Sequence, residues 1–306
     1  MDYERTPLQR ALGLASRQDS LLTRSQLQSF GLTDDQIDWQ LGRWLSRVAS
    51  TVYVTAGARW TWRQAARAAC LAGPPGTVAS HLTAAALASL CPPPVLPHVI
   101  VPRGRSGRLR IAKVHYGRVD PQDRTTVDGI PCTKVARTLV DCASVLDRDG
   151  LANLVDVALC EGKASVASVE AVLARTGTIG RAGPALLRTA LADWTGPIRA
   201  DSPAEMRLRR LVAEWGFPTP DRQVAIRDTS GNLVALADLG WAQRTIGIDY
   251  GSIRWHGPRR WFHDETRHAA IEACGWHLLH ADKVDLLPGE RALRASLDRA
   301  WDTRAA

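Results

Sequence analysis

Between Asp38 and Asp120 the sequence of 306 residues contains no acidic residue. The stretch 39–119 carries only basic charge, on Arg43, Arg47, Arg59, Arg63, Arg67, Arg103, Arg105, Arg108, Arg110, Lys113 and Arg118. Other scarcities exclude whole classes. There is no run of about 18 apolar residues, so no membrane-spanning helix is expected. The opening Met1-Asp2-Tyr3-Glu4-Arg5 is polar and acidic, unlike a secretory signal, and a cytoplasmic protein with no membrane partner is the expectation. The six cysteines include no C-x-x-C pair, which argues against a disulfide framework and a zinc ribbon. No G-x-S-x-G elbow, H-E-x-x-H pair or dinucleotide fingerprint occurs. Only four of the 39 basic residues are Lys, a bias to which no function is assigned.

What is present is an ordinary globular composition, 45% hydrophobic and 23% charged, long enough for two or three domains. The formal charge of +8 resolves into +11 over residues 39–119 and −3 over the remainder. A single-sign cationic field suits a polyanion, because each Lys or Arg that neutralises a phosphate releases condensed counterions. The competing reading is a solvated face whose acidic partners come from elsewhere in the fold.

Thr23-Arg24-Ser25-Gln26 and Thr33-Asp34-Asp35-Gln36 both fit the reciprocal capping box that opens a helix. They predict helices from about 23 to 30, stopped by Gly31, and from about 33 to 41, after an earlier helix around Leu8 and Leu12. Residues 44–48 and 51–54 then read as two short strands ended by Gly57. Helix, helix, tight turn, helix and hairpin is the order of a winged helix-turn-helix, whose second paired helix enters the major groove. Residues 21–57 resemble the winged-helix domain of AbiE-type antitoxins, a family of DNA-binding autorepressors. The resemblance places Gln36, Trp39, Gln40 and Arg43 in the groove and Arg47 in the wing, with Gln reading adenine and Arg reading guanine or phosphate. It also implies double-stranded DNA as partner, allows a cognate toxin protein, and is compatible with a homodimer. Asp34 and Asp35 depart from the basic residues often found there; they suit the helix dipole but repel phosphate.

In the middle of the chain, Gly73-Pro74-Pro75-Gly76-Thr77 reads as a linker, since no Gly-Lys-Ser/Thr follows. A short helix is expected from His81 to the Pro92-Pro93-Pro94 stop. Strands at 99–101 and 108–111 are expected to flank the turn 103–107, whose Arg103, Arg105 and Arg108 form a basic tip able to grip a DNA backbone. Val127-Asp128-Gly129-Ile130 signals a second hairpin, and helices follow near 134–146, 151–161, 165–174 and 184–193. The stretch 136–141 resembles a recurrent signature of the AbiE-type middle domain, with Arg137 and Asp141 spaced to pair on the surface.

The last hundred residues read as helix, strand, turn, strand, turn, strand, with acids at Glu205, Asp238 and Asp249. Adjacent strands can bring two carboxylates together, and hard divalent cations favour such oxygen clusters. A cation there can generate hydroxide and stabilise a phosphodiester displacement. Ser202-Pro203-Ala204-Glu205, Ala237-Asp238, Ile248-Asp249-Tyr250-Gly251-Ser252, Trp255-His256, Asp264 with Arg267, and Gly275-Trp276 resemble the PD-(D/E)xK nucleases, specifically relatives of the very-short-patch repair endonucleases. The resemblance implies Asp238 and Asp249 as Mg²⁺ ligands and Glu205 as support for a bound water. It makes His256 an acid/base or orienting group, and Arg267 a phosphate neutraliser or partner of Asp264. Relatives commonly show Glu-x-Asp-Gly where this chain has Asp249-Tyr250-Gly251-Ser252, and the superfamily Lys is absent. His263, His268, Cys274, His277 and His280 crowd the same region, but their spacing does not favour a zinc site.

The expected architecture is α+β and multidomain: a winged helix-turn-helix over 1–72, a mixed α/β AbiE-type middle domain over 73–198, and a PD-(D/E)xK nuclease-like α/β domain over 199–306. Two functions compete. One is a DNA-binding protein acting as a Mg²⁺-dependent endonuclease or nickase directed by its winged helix. The other is a transcriptional repressor or antitoxin-like regulator with a catalytically degenerate nuclease fold.

Overall fold

A computed structural model describes residues 6–103, 109–176, 183–194, 202–251, 267–287 and 289–304. The protein is mixed α+β, with three sheets among the described residues, and divides into two compact units, Met1–Asp193 and Trp194–Ala306. No helix among the described residues is long and apolar enough to cross a membrane.

The first unit begins with α1 (Pro7–Ala15), β1 (Leu21–Thr23), α2 (Arg24–Ser29), α3 (Asp34–Gln40), β2 (Leu45–Ala49) and β3 (Val52–Thr55). Reciprocal capping boxes open all three helices, Thr6 with Gln9, Thr23 with Gln26 and Thr33 with Gln36. Each box satisfies two N–H groups that the helix itself leaves unpaired. Ala11, Leu22, Leu27, Ile37, Leu45 and Tyr53 bury against one another and hold the helices on a three-stranded sheet of order β1-β3-β2. Strand β1 was not anticipated, because its three residues run directly into the α2 cap and carry no alternation.

Helix α4 (Trp62–Ala72) joins this sheet to the next. Ala68 packs with Leu21 and Val52, whereas Ala66, Ala69 and Cys70 pack with Val99 and Ile130. Its Arg67 is buried, donating from Nε to Asp19 at 2.6 Å and from a terminal nitrogen to the Gly129 carbonyl at 2.9 Å. A mixed five-stranded sheet follows, made of β4 (Val78–Ala79), β5 (His98–Val101), β6 (Lys113–Tyr116), β7 (Arg124–Val127) and β8 (Ile130–Thr133), in the order β6-β5-β4-β8-β7. The expected Asp128-Gly129 hairpin joins β7 and β8, with φ of +48° and +74° at its two central residues. These positive values match a type I′ turn, which needs a residue tolerant of left-handed backbone. The remaining helices are α5 (His81–Leu87), α6 (Val135–Cys142), α7 (Arg148–Cys160), α8 (Val166–Thr176) and α9 (Pro184–Ala192).

Two expectations are corrected here. Strand β6 starts at Lys113 rather than near 108 and runs parallel to β5, so these two strands do not form a hairpin. Leu109 and Ile111 pack against the sheet core from a turn, which reproduces the alternation of a strand. Arg137 and Asp141 do pair, at 2.9 Å, but both are buried (4% and 6% exposed) rather than on the surface. Asp123, itself buried, lies 3.8 Å from Arg137 and accepts from Arg175 at 2.6 Å.

The second unit contains α10 (Pro203–Glu214), β9 (Asp221–Arg227), β10 (Leu233–Trp241), β11 (Ile246–Tyr250), helix α11 (267–273), β12 (His277–Ala281) and α12 (Ala292–Thr303). Its sheet has the order β12-β11-β10-β9; the β9–β10 and β10–β11 pairs are antiparallel, and β11–β12 is parallel. Two apolar clusters use this sheet. Leu208 and Val212 of α10 and Leu293 and Leu297 of α12 pack with Leu239, Trp241, Ile246 and Ile248. Ile271 of α11 packs with Val224, Ile226, Ala235, Ala237 and Leu278. Trp241 and Trp276 are buried in these two clusters.

Candidate functional site

In the first unit, α3 presents Gln36 and Trp39 to solvent, and Trp39 is 60% exposed. Gln40 is half-buried at the helix end, and Arg43 lies in the turn that follows rather than on the helix. Arg43 nevertheless returns to this face: its guanidinium stands 4.1 Å from the Trp39 ring centroid and donates to the Trp39 carbonyl at 2.5 Å. Arg47 projects from β2 toward the Tyr53 ring and lies 4.0 Å from Asp38. Gln36 is less available than expected. Its Oε1 accepts from the Thr33 N–H at 2.9 Å, which uses one of that oxygen's two acceptor positions and ties the side chain to the helix start, whereas bidentate reading of adenine needs both the oxygen and the amide N–H₂ turned outward.

The acidic start of α3 is locally compensated. Arg24 donates from Nε to Asp34 at 2.7 Å and from a terminal nitrogen to Asp38 at 3.0 Å. The Arg24 guanidinium holds the Asp38 carboxyl below the usual carboxylate range, and the same bonds raise the pKa of Arg24. Asp35 stays exposed.

Acidic residues also reach into the cationic stretch. Arg63 is paired with Asp128, Arg67 with Asp19, and Arg118 with Asp120. Of the three arginines expected at a basic tip, Arg103 is exposed, while Arg105 and Arg108 lie outside the described residues. Arg103 lines a cavity of about 360 Å³ together with His81, His115, Tyr116, Arg137 and Asp141.

In the second unit the β10–β11 register, with Leu239 opposite Ile248, brings Asp238 and Asp249 together. Asp238 Oδ2 accepts from the Tyr250 N–H at 2.7 Å, and Asp249 Oδ1 accepts from the Asp238 N–H at 3.4 Å. Gln223 of β9 donates to Asp238 Oδ1 at 3.3 Å, and Asp249 stands opposite His280 of β12. Gln223, Asp238, Asp249 and His280 therefore stand at facing positions on four neighbouring strands. Arg267 lies on Asp249, 3.0 Å from Oδ2; Asp264, its other expected partner, falls outside the described residues together with His256. Glu205 sits in the first turn of α10, where its Oε1 accepts from the Ser202 hydroxyl at 2.8 Å. Glu205, Asp238 and Asp249 do not converge as one three-ligand set.

Among the described residues, the convergent set of potential metal ligands is His81, His98 and His115, a grouping that no linear motif announced. Burial, followed by the neighbouring imidazoles, pushes the His81 pKa down to about 2 and that of His98 down to about 4.

No family model matches the chain. Two proteins of Mycobacterium tuberculosis are similar to it: "Uncharacterized protein MT2308" of strain CDC 1551 / Oshkosh and "Uncharacterized protein Rv2248" of strain ATCC 25618 / H37Rv. Each is 31% identical over 179 residues, which cover 57% of this chain. The chain spans 64% of the length of these curated relatives.

Proposed function

We propose that the protein is a double-stranded DNA-binding regulator that uses α3 and the β2–β3 hairpin as a winged helix-turn-helix. The observation that carries this reading is the exposed Trp39–Arg43 pair beside Arg47, at the start of a stretch without acidic residues. Compensation of Asp34 and Asp38 by Arg24 removes much of the repulsion that the acidic helix start would exert on phosphate. Trp39 and Arg43 supply a flat apolar surface and a cation, and Arg47 a backbone contact.

The test is the salt dependence of binding to mixed-sequence duplexes, followed by fluorescence anisotropy. Each lost phosphate contact reduces the slope of log affinity against log salt by roughly 0.9. The double variant Arg43→Ala, Arg47→Ala should therefore reduce the slope by about two and weaken binding across sequences. An unchanged slope and affinity would remove this face from the interface.

A second reading, a Mg²⁺-dependent endonuclease or nickase, is favoured by the meeting of Asp238 and Asp249 in a helix, three-strand, helix, strand order. Those two carboxylates would hold the cation, which supplies an activated water when bound. The fit is partial: Arg267 already occupies Asp249, and Glu205 does not complete the set. Supercoiled-plasmid nicking with Mg²⁺ or Mn²⁺ decides. Cleavage by wild type that is lost in Asp238→Ala establishes the enzyme, and equal inactivity leaves the regulator.

A further inference from the structure

We propose that His81, His98 and His115 form a binding site for a divalent transition-metal ion of the zinc type, opening onto the adjoining cavity. The fold brings the three side chains together from separate parts of the chain. His98 and His115 stand on the parallel pair β5–β6, where Ile100 is opposite His115, so the two imidazoles are diagonal neighbours on one face of the sheet. His81 opens α5, which is stitched to the start of β5: the Ser80 N–H donates to the His98 carbonyl at 3.0 Å, and the His98 N–H donates to the Thr83 hydroxyl at 2.7 Å. His81 also adopts a left-handed backbone, φ +48°, a conformation rare for a residue with a side chain and concentrated at functional positions.

The geometry approaches that of a ligand set. His98 Nδ1 and His115 Nε2 are 3.2 Å apart, and one ring nitrogen of each histidine lies within 4.8 Å of the others. Two nitrogens at about 2.0–2.1 Å from a tetrahedral centre are separated by about 3.3–3.4 Å, so the His98–His115 spacing already fits. The His81 ring is stacked on His115 with centroids 3.6 Å apart and planes 17° apart, so it must rotate out of the stack to turn its in-plane lone pair toward an ion shared with the other two. His81 Nδ1 is hydrogen-bonded to the Ser80 hydroxyl at 2.8 Å, leaving Nε2 as its ligand atom. Such an outer oxygen partner on the second ring nitrogen is the usual way a ligating histidine is oriented.

Imidazole nitrogen selects zinc, copper or nickel over Mg²⁺, which prefers oxygen. Three protein ligands leave a fourth position, and His81 and His115 both line the 360 Å³ cavity into which that position would open. The competing account is a packed histidine cluster in which the 3.2 Å contact is an imidazole–imidazole hydrogen bond.

The full-length chain, stripped with a chelator and dialysed, is titrated with Zn²⁺ by calorimetry and with Co²⁺ by visible absorption. The site predicts one tight equivalent per chain and the intense visible bands of tetrahedral Co²⁺. Ser80→Ala should weaken Zn²⁺ binding about 10- to 100-fold. His115→Gln, at a half-buried edge-strand position, should weaken it by at least as much. The control His277→Gln, His280→Gln should leave the tight equivalent in place. Absence of a stoichiometric equivalent in wild type overturns the proposal, and so does unchanged affinity in His115→Gln. If that variant does not fold, wild type decides: octahedral Co²⁺ bands, or no rise in melting temperature with Zn²⁺, overturn the site, and tetrahedral bands with such a rise sustain it.

Discussion

The histidine cluster of the first unit and the carboxylate pair of the second differ in what already compensates them. One ring nitrogen of each of His81, His98 and His115 converges with the others, their hydrogen-bond partners there are hydroxyl and imidazole groups, and the charged groups acting on the rings include the cations Lys113 and Arg137. Asp238 and Asp249 also meet, yet backbone N–H groups, Gln223 and Arg267 bind their oxygens. Like charges placed close across strands destabilise a sheet unless something offsets them. Here an arginine stands where a cation could. Acids at matched positions of neighbouring strands are thus a weaker sign of a metal centre than ligand atoms that converge.

The arginines of the two units sharpen the same contrast. Arg137 is 4% exposed and flanked by the buried Asp123 and Asp141, whereas Arg267 is 43% exposed. Removing one partner of a buried charge set leaves the others uncompensated and costs about 3–5 kcal/mol. Arg137→Met should therefore destabilise the first unit by about that amount, measured by urea unfolding, while hydrogen exchange in β10 and β11 stays unchanged. A loss below about 1 kcal/mol would mean that Asp123 and Asp141 are satisfied without Arg137.

How much of this was legible follows from the range of each interaction. The capping boxes of α2 and α3 and the Asp128-Gly129 turn are local, so their residues announce them within four positions. The β10–β11 meeting of acids was also legible, because a short turn between two alternating segments fixes the pairing. The parallel β5–β6 pair was not: alternation does not distinguish parallel from antiparallel neighbours, and Leu109 and Ile111 alternate like a strand without being one. The histidine convergence depends on that pairing and on where α5 docks, so no linear spacing carries it. Burial of Arg137 was missed for a related reason, since its partner Asp123 is distant in sequence.

A change of pH separates the two units next. His81 and His98 have pKa values depressed by burial, to about 2 and about 4, against roughly 6.5 in an unfolded chain. Above about pH 6.5 both states are neutral at these rings, and their contribution to stability is fully present. As pH falls below that value the unfolded chain takes up protons that the folded unit refuses, so stability is lost. At pH 5 the loss is about 2 kcal/mol per imidazole. Amide exchange in α5 and β5 should accelerate between pH 7 and 5, after correction for the intrinsic rate, with β10 and β11 as internal reference. Protection of β5 that does not change over this range would mean that these rings are hydrated or protonated in the folded state. Zn²⁺ bound to the cluster should shift the onset to lower pH, because the metal adds its own preference for the neutral rings.

The smallest effect on stability, and the sharpest on the comparison, belongs to Arg267→Ala. An ion pair this exposed contributes about 0–1 kcal/mol, so unfolding should hardly change. The local field changes more, because Asp238 and Asp249 then share a site without their arginine. If Arg267 stands in for a cation, the variant should bind Mn²⁺ more tightly than wild type, by calorimetry of the full chain, and Asp238→Asn added to it should cancel the gain. Equal affinity in wild type and variant would mean that Arg267 does not hold the cation's place. Tight binding by wild type that Asp238→Asn abolishes would go further: the acids would then be a metal site despite their arginine, and the endonuclease reading would move ahead of the regulator.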